Sequence, residues 1–392
     1  MKKRILTLAL ASFATYLVAE AILSAYAWFS WYDTSFWVFE DIGRTWQFDP
    51  IRGYRSTRTP SRWMRVTNGV VEYVGVARGN SQGFPDRDDF GPKRDSPSIR
   101  RVAVFGDSFT AAQFLGQNWP DRVEDLMAER GEPMQLLNFA VDGGGLANWW
   151  SILTRLVDAE DYEIDGVLFA VWGDNLERGF SVKDRPPFGG YSFGRVPTWD
   201  PATYPKTPDE AQQYMWKWSN AYNLSPEEFE QTLQGRWPSP APSRFRLVCA
   251  SAALKLGKKA YRKLSSAPSA PSAPSAYSDP HRKKLIEDIR EYLDRRRIPA
   301  LVVFIQEPAF LDQRQLEDVK AFAAHLGAPF VDYSKTYENL SRAEIRALHF
   351  PSDCHWNQAG SNRFAEFILP HLSRFKCNAA DPGTPLPSVP AP

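Results

Sequence analysis

Ser108 lies in Val104-Phe105-Gly106-Asp107-Ser108-Phe109-Thr110, where an apolar run ends at a glycine and a helical segment begins. A strand, a turn and a serine at the mouth of a helix present a hydroxyl at the carboxyl edge of a parallel sheet, where α/β proteins place their ligands. Backbone N–H groups at such a turn also face a developing oxyanion. A serine hydroxyl is a weak nucleophile unless a base takes its proton, and an imidazole base needs a carboxylate to fix its tautomer. Phe350-Pro351-Ser352-Asp353-Cys354-His355-Trp356-Asn357 supplies both groups two residues apart, on a polar loop ahead of a final helix. Gly-Asp-Ser alone is a common turn. Its weight comes from the second motif.

Positioning the two motifs requires a layered α/β frame. Arg101–Phe105, Gln135–Val141, Gly166–Trp172, Leu301–Gln306 and Pro329–Tyr333 read as short buried strands. Asp121–Arg130, Trp149–Val157, Arg282–Arg297, Gln313–Leu326 and Asn357–Phe375 read as helices between or after them. This alternation predicts a three-layer α/β/α sandwich around a mostly parallel sheet. The pattern lapses over about 180–280, which includes the Ala-Pro-Ser repeat Ser266–Ala276. That stretch is an insertion, expected as a linker or a lid. Residues 33–99 form a lead-in whose alternating runs, such as Gly69–Val74, suggest short strands and hairpins. The main domain is placed at 100–378, and the Pro-rich 379–392 as a disordered tail.

The first 32 residues read as an address. Met-Lys-Lys-Arg precedes the apolar stretch Ile5–Phe29, interrupted by Glu20 and followed by Trp31, Tyr32 and the acidic Asp33, Glu40 and Asp41. A signal anchor fits, with a transmembrane helix and an extracytoplasmic body, periplasmic or cell-surface. Ala25-Tyr26-Ala27 would serve as a cleavage site and give a secreted form. Elsewhere the chain is ordinary: 43% hydrophobic, 24% charged and a net charge of +1, which gives no electrostatic footprint for nucleic acid. Cys249, Cys354 and Cys377 have no metal-ligand spacing. A Cys354–Cys377 bridge and three buried free thiols are both open. The 14 Trp, 15 Tyr and 25 Phe are assigned first to core and membrane-interface packing, with a sugar-binding cleft as the other use.

Gly106-Asp107-Ser108 near the start of the main domain, with Asp353-Cys354-His355 at its end, resembles the GDSL/SGNH hydrolase family. Asp49–Arg55 and Asn80–Phe84 resemble lead-ins of its membrane-anchored bacterial members. The resemblance implies Ser–His–Asp chemistry at Ser108, His355 and Asp353, with no metal or organic cofactor. It also implies oxyanion donors at the Ser108 and Gly143 backbone N–H, the latter from Asn138-Phe139-Ala140-Val141-Asp142-Gly143 within one or two positions. A third donor is expected from a Gly-Asn-Asp block, but this chain has Gly173-Asp174-Asn175. A carboxylate at Asp174 cannot donate, so Asn175 is the expected donor, Asp174 the alternative, or the donor is missing. His349 is assigned to packing and Cys354 to structure.

Three functions fit. The leading one is hydrolysis of a carboxylic ester through an acyl-Ser108, with O-acetyl groups on an exported glycan suiting the location. The same triad would also pass an acyl group to a sugar hydroxyl. A degenerate site that binds glycan or joins an assembly is the third. The expected partners are an acylated small molecule or glycan and, through the N-terminal helix, the membrane; the oligomeric state is not legible.

Overall fold

The computed structural model describes residues 7, 10–22, 35–40, 45–67, 70–184, 191–218, 221–235, 278–351 and 353–375. Its strands are β1 (Ser35–Glu40), β2 (Trp46–Asp49), β3 (Gly53–Ser56), β4 (Ser61–Thr67), β5 (Val70–Ala77), β6 (Arg100–Phe105), β7 (Met134–Asn138), β8 (Gly166–Val171), β9 (Ser181–Asp184), β10 (Tyr191–Arg195), β11 (Met215–Trp218), β12 (Ala221–Leu224), β13 (Ala300–Phe304) and β14 (Phe330–Asp332). The helices that matter to the site are α1 (Ser108–Ala111), α2 (Trp119–Glu129), α3 (Leu146–Ile152), α4 (Pro280–Arg296), α5 (Gln313–His325) and α6 (Gln358–Leu372).

Five strands pair in the order β14-β13-β8-β6-β7, every neighbour parallel. All five coincide with runs read as strands from the sequence. Side chains alternate across the pleat. Ala103 and Phe105 of β6 join one apolar layer with α3, α4 and α5; Val102 and Val104 join the other with α2 and α6. The result is the α/β/α sandwich the periodicity predicts. Because β7 and β8 flank β6 on opposite sides, the chain reverses direction across the sheet at β6. The loops leaving β6 and β8 therefore splay apart and open a crevice at their carboxyl ends. Ser108 and the Gly173–Asn175 block are on those two loops.

The lead-in and the insertion meet in a second sheet of order β12-β1-β4-β5, where β1 pairs antiparallel with β4 and parallel with β12. The hairpin expected near residue 70 is β4–β5. Its β5 edge does not stop at its own sheet: the Val76 N–H donates to Gln113 O at 3.0 Å, just beyond α1. Contact this close needs a residue without Cβ. At Gly75 a Cβ would sit 2.6 Å from a Trp63 ring carbon and 2.8 Å from both Gln113 O and Phe114 Cα. A third sheet, β11-β10-β9, is antiparallel and comes wholly from the insertion.

Residues 10–22 are helical, with Leu10, Phe13, Leu17, Val18 and Ile22 exposed. At 1.5 Å per residue that is about 20 Å, against about 30 Å of hydrocarbon. Among the described residues no helix is long and apolar enough to cross a membrane. Most of the rest of the expected anchor, the Ala27 cleavage site, the Ala-Pro-Ser repeat, Cys249, Cys377 and the tail lie outside the described residues. Cys354 is a free thiol.

Gly75→Ala tests the docking of β5 on the turn that follows Ser108. Overpacking against backbone typically destabilises by about 1–3 kcal/mol, so a lowered denaturation midpoint is expected, and an unchanged one would refute the close approach.

Candidate active site

The turn that carries Ser108 is built around Asp107. Its carboxylate is buried, 1% exposed, and accepts the Phe109 N–H at 3.1 Å, which caps α1. The other oxygen accepts from Asn175 Nδ2 and the Arg178 guanidinium, each at 2.9 Å. A buried polar group costs free energy unless it is hydrogen-bonded, and these partners satisfy it. Pinning Asp107 fixes the rotation of α1 and so the direction of the Ser108 side chain.

The second motif is held as a tight loop. The Phe350 N–H donates to His355 O at 3.1 Å, and His349 and Trp356 form a two-residue bridge. Asn357 then caps α6, accepting from the Ala359 and Gly360 N–H groups, while its amide donates to Ala347 O and His349 O. The Trp356 ring is buried and its Nε1–H donates to the Tyr337 hydroxyl at 3.0 Å. Burying that ring leaves His355, the preceding residue, facing the crevice between Phe109 and Phe114, at ring-centre distances of 4.8 Å.

The two motifs meet. Ser108 Oγ lies 2.7 Å from His355 Nε2, and His355 Nδ1 lies 2.6 Å from Asp353 Oδ1. An ionised carboxylate only accepts, so Nδ1 carries the proton and the Nε2 lone pair faces the serine hydroxyl. Asp353 Oδ2 is held by Arg65 at 2.7 Å and by the Tyr73 hydroxyl at 3.0 Å. Arg65 sits where β4 shifts register against β5. Such a bulge re-aims side chains, here toward the Asp353 carboxylate. Burial alone would raise the Asp353 pKa, but the His355 bond and charge, with Arg65 and Tyr73, outweigh it and hold it well below the usual carboxylate range. Burial alone would lower the His355 pKa. The hydrogen bond and charge of Asp353 win, helped by Asp142 and Asp107, and the net shift is upward.

On the opposite wall, Gly143 has φ +74°, a left-handed conformation that glycine adopts without strain. Its carbonyl accepts from Ser181 Oγ at 2.6 Å and from Arg195 at 3.0 Å, both in the insertion. Among the described residues no acceptor takes the Gly143 or the Ser108 backbone N–H, and both residues line the same cavity. The Gly144 N–H is used in a turn to Val141 O, which separates Gly143 from its neighbour in the glycine triplet.

The third expected donor is a correction. Asn175 is fully buried; its amide donates to Asp107 and, at 3.5 Å, toward Gly144 O, while its Oδ1 accepts the Trp172 N–H. Asp174 pairs with Arg178 at 2.7 Å. Neither lines the cavity at Ser108. The amide is drawn away because a buried carboxylate at Asp107 outcompetes an empty position for a donor. His349 is buried, its Nδ1 donating to Ile345 O with Glu307 3.4 Å from Nε2, away from Ser108. Burial, with the charges of Asp353 and Asp107, pushes the Cys354 thiol up to about 12, so it stays protonated and is no nucleophile.

Sequence reasoning missed Arg65 and Tyr73, and also Lys183. Lys183 is 1% exposed, bonded to Asp142 at 2.5 Å and surrounded by the rings of Tyr54, Trp46 and Phe193. No short motif marks these residues. The one available signal was an Arg and a Tyr on alternating strands of the lead-in.

No family model matches the chain, and no curated protein matches it. Similar solved structures include TesA, 14% identical over 71% of this chain and 100% of that one, with a TM-score of 0.36. A lipase/acylhydrolase from Enterococcus faecalis is 14% identical over 71% of this chain and 99% of that one, TM-score 0.36. AlinE4, an SGNH-hydrolase family esterase, is 13% identical over 70% of this chain and 96% of that one, TM-score 0.31.

Two measurements test the site. A protonated imidazole cannot take the serine proton, and the His355 pKa is raised, so the acid limb of kcat/KM against pH is expected with its midpoint above the ordinary 6.5. In Asp353→Asn that limb moves to lower pH; a wild-type midpoint below 6.5 would contradict the geometry. Asn175→Ala is expected to lower the melting temperature, since it strips partners from Asp107 and Trp172. Its kcat/KM should fall by less than the roughly hundredfold typical of a lost oxyanion donor.

Proposed function

We propose that the protein is a serine esterase that hydrolyses a carboxylic ester through an acyl-Ser108 intermediate. The observation that carries this reading is the unbroken chain of hydrogen bonds from Ser108 Oγ through His355 to Asp353, at 2.7 and 2.6 Å.

His355 Nε2 takes the Ser108 proton as Oγ adds to the ester carbonyl carbon. The negative charge that forms on the carbonyl oxygen is received by the N–H groups of Ser108 and Gly143. Collapse of this adduct breaks the bond to the alcohol oxygen, and His355 gives its proton to the departing alkoxide. Water then enters, loses a proton to His355 and adds to the acyl carbon. The second collapse frees the carboxylic acid and returns the proton to Ser108 Oγ. Asp353 stays ionised throughout, held by Arg65 and Tyr73, and stabilises each imidazolium that forms. Two backbone donors, without a side-chain amide, form the oxyanion site in this scheme.

The exposed apolar side chains of the helix at 10–22 support attachment of the enzyme to a membrane by its N-terminal segment, and the basic Lys2-Lys3-Arg4 before it with the acidic Asp33, Glu40 and Asp41 after it support a site held outside the cytoplasm.

A fluorophosphonate probe should label the folded protein at Ser108. Ser108→Ala should abolish labelling and lower kcat on a p-nitrophenyl ester by about 10⁴-fold or more. Absence of labelling on folded wild-type protein would end the esterase reading.

A further inference from the structure

A cavity of about 230 Å³ opens beside Ser108 and His355 and runs between the second sheet and the turn after α1. Its wall is aromatic: Trp37, Phe39 and Trp63 from the second sheet, Trp46 from β2, Phe114 beyond α1 and Phe193 from the insertion. We infer that this cavity receives the acyl part of the ester, and that it is shaped for an apolar acyl group of about six to eight carbons, not for acetyl. The inference rests on the reading of Ser108 as the nucleophile.

Size comes first. At roughly 30 Å³ per water-sized group, the cavity takes about seven or eight non-hydrogen atoms. An acetyl group would leave most of it filled with water or empty against apolar walls. Polarity comes second. The polar side chains of the wall are largely engaged: Asp142 with Lys183, and Gln113 Nε2 with Ser56 Oγ and Arg78 O behind the wall. The buried Trp63 Nε1–H has no acceptor among the described residues, which leaves a partner for one ligand oxygen. That does not satisfy the ring of hydroxyls on a pyranose, and each buried hydroxyl without a partner weakens binding. The Lys183–Asp142 pair neutralises itself, so nothing here favours a charged acyl terminus.

Direction comes third. The acyl group remains bonded to Ser108 Oγ while the alcohol leaves and water arrives. The side of the site that exchanges groups must open to solvent, and an apolar recess suits the group that stays. Burying added methylenes in such a recess strengthens binding in the transition state and so raises kcat/KM.

The test is a series of p-nitrophenyl esters with one alcohol and acetyl, butyryl, hexanoyl, octanoyl and dodecanoyl groups. The expected kcat/KM rises by about tenfold or more from acetyl to the hexanoyl–octanoyl range and falls again at dodecanoyl. Ala111 lines the cavity, and Ala111→Leu should lower the octanoyl-to-acetyl ratio about tenfold or more. Phe193→Ala should move the optimum to longer chains and serves as the second variant if Ala111→Leu does not fold. A flat profile, or acetyl as the best substrate (acetylated sugars included), overturns the inference. Labelling of the same preparation by fluorophosphonate separates the failures. A labelled enzyme that prefers acetyl removes only the acyl pocket, and an unlabelled one removes the esterase reading with it.

Discussion

One constraint governs this molecule: a buried carboxylate must remain ionised next to an imidazole. Desolvation alone raises the Asp353 pKa, whereas an ionised carboxylate is what fixes the His355 tautomer and stabilises its cation. The chain meets this with a charged and a neutral donor, Arg65 and Tyr73, aimed at the oxygen that His355 does not use. Both come from the second sheet. That sheet therefore supports the Ser108–His355–Asp353 hydrogen-bond chain, and its fit against the turn after α1 through Gly75 and Val76 sets where the carboxylate's partners stand relative to Ser108.

The same logic explains the opposite wall. Asp107 is a second buried carboxylate, and its demand for donors draws in Asn175 and Arg178. Arg178 in turn ties down Gly144 O and Asp174. The amide that a motif comparison assigns to the oxyanion is consumed in holding the turn rigid. Two backbone N–H groups, those of Ser108 and Gly143, remain at the cavity, and the Gly143 carbonyl is held from behind by the insertion, through Ser181 and Arg195.

Local periodicity carried the main sheet: the runs at β6, β7, β8, β13 and β14 are short, apolar and separated by helical patterns, so each is recognisable alone. Ser108, Asp353 and His355 were legible because they stand in compact motifs whose chemistry demands a counterpart. Arg65 and Tyr73 were not, because a bulge and a strand pairing hundreds of residues from Asp353 decide their direction. Asn175 was misjudged for a related reason. A motif gives the residue type at a position but not the competing acceptor behind it. The pairing of β1 with β12 joins segments read separately as lead-in and insertion, and nothing within either one announces the other.

Ser108 and His355 stand 247 positions apart in the chain, and on the esterase reading proposed above this has a consequence for how activity comes into being. Synthesis runs from the amino end, so the alcohol and most of its pocket are made long before the base. Throughout that interval Ser108 is an ordinary hydroxyl, inert toward any ester it meets. On that reading, reactivity switches on only when the loop that carries His355 closes against Ser108, so a nascent chain carries no hydrolytic hazard for the cell that makes it.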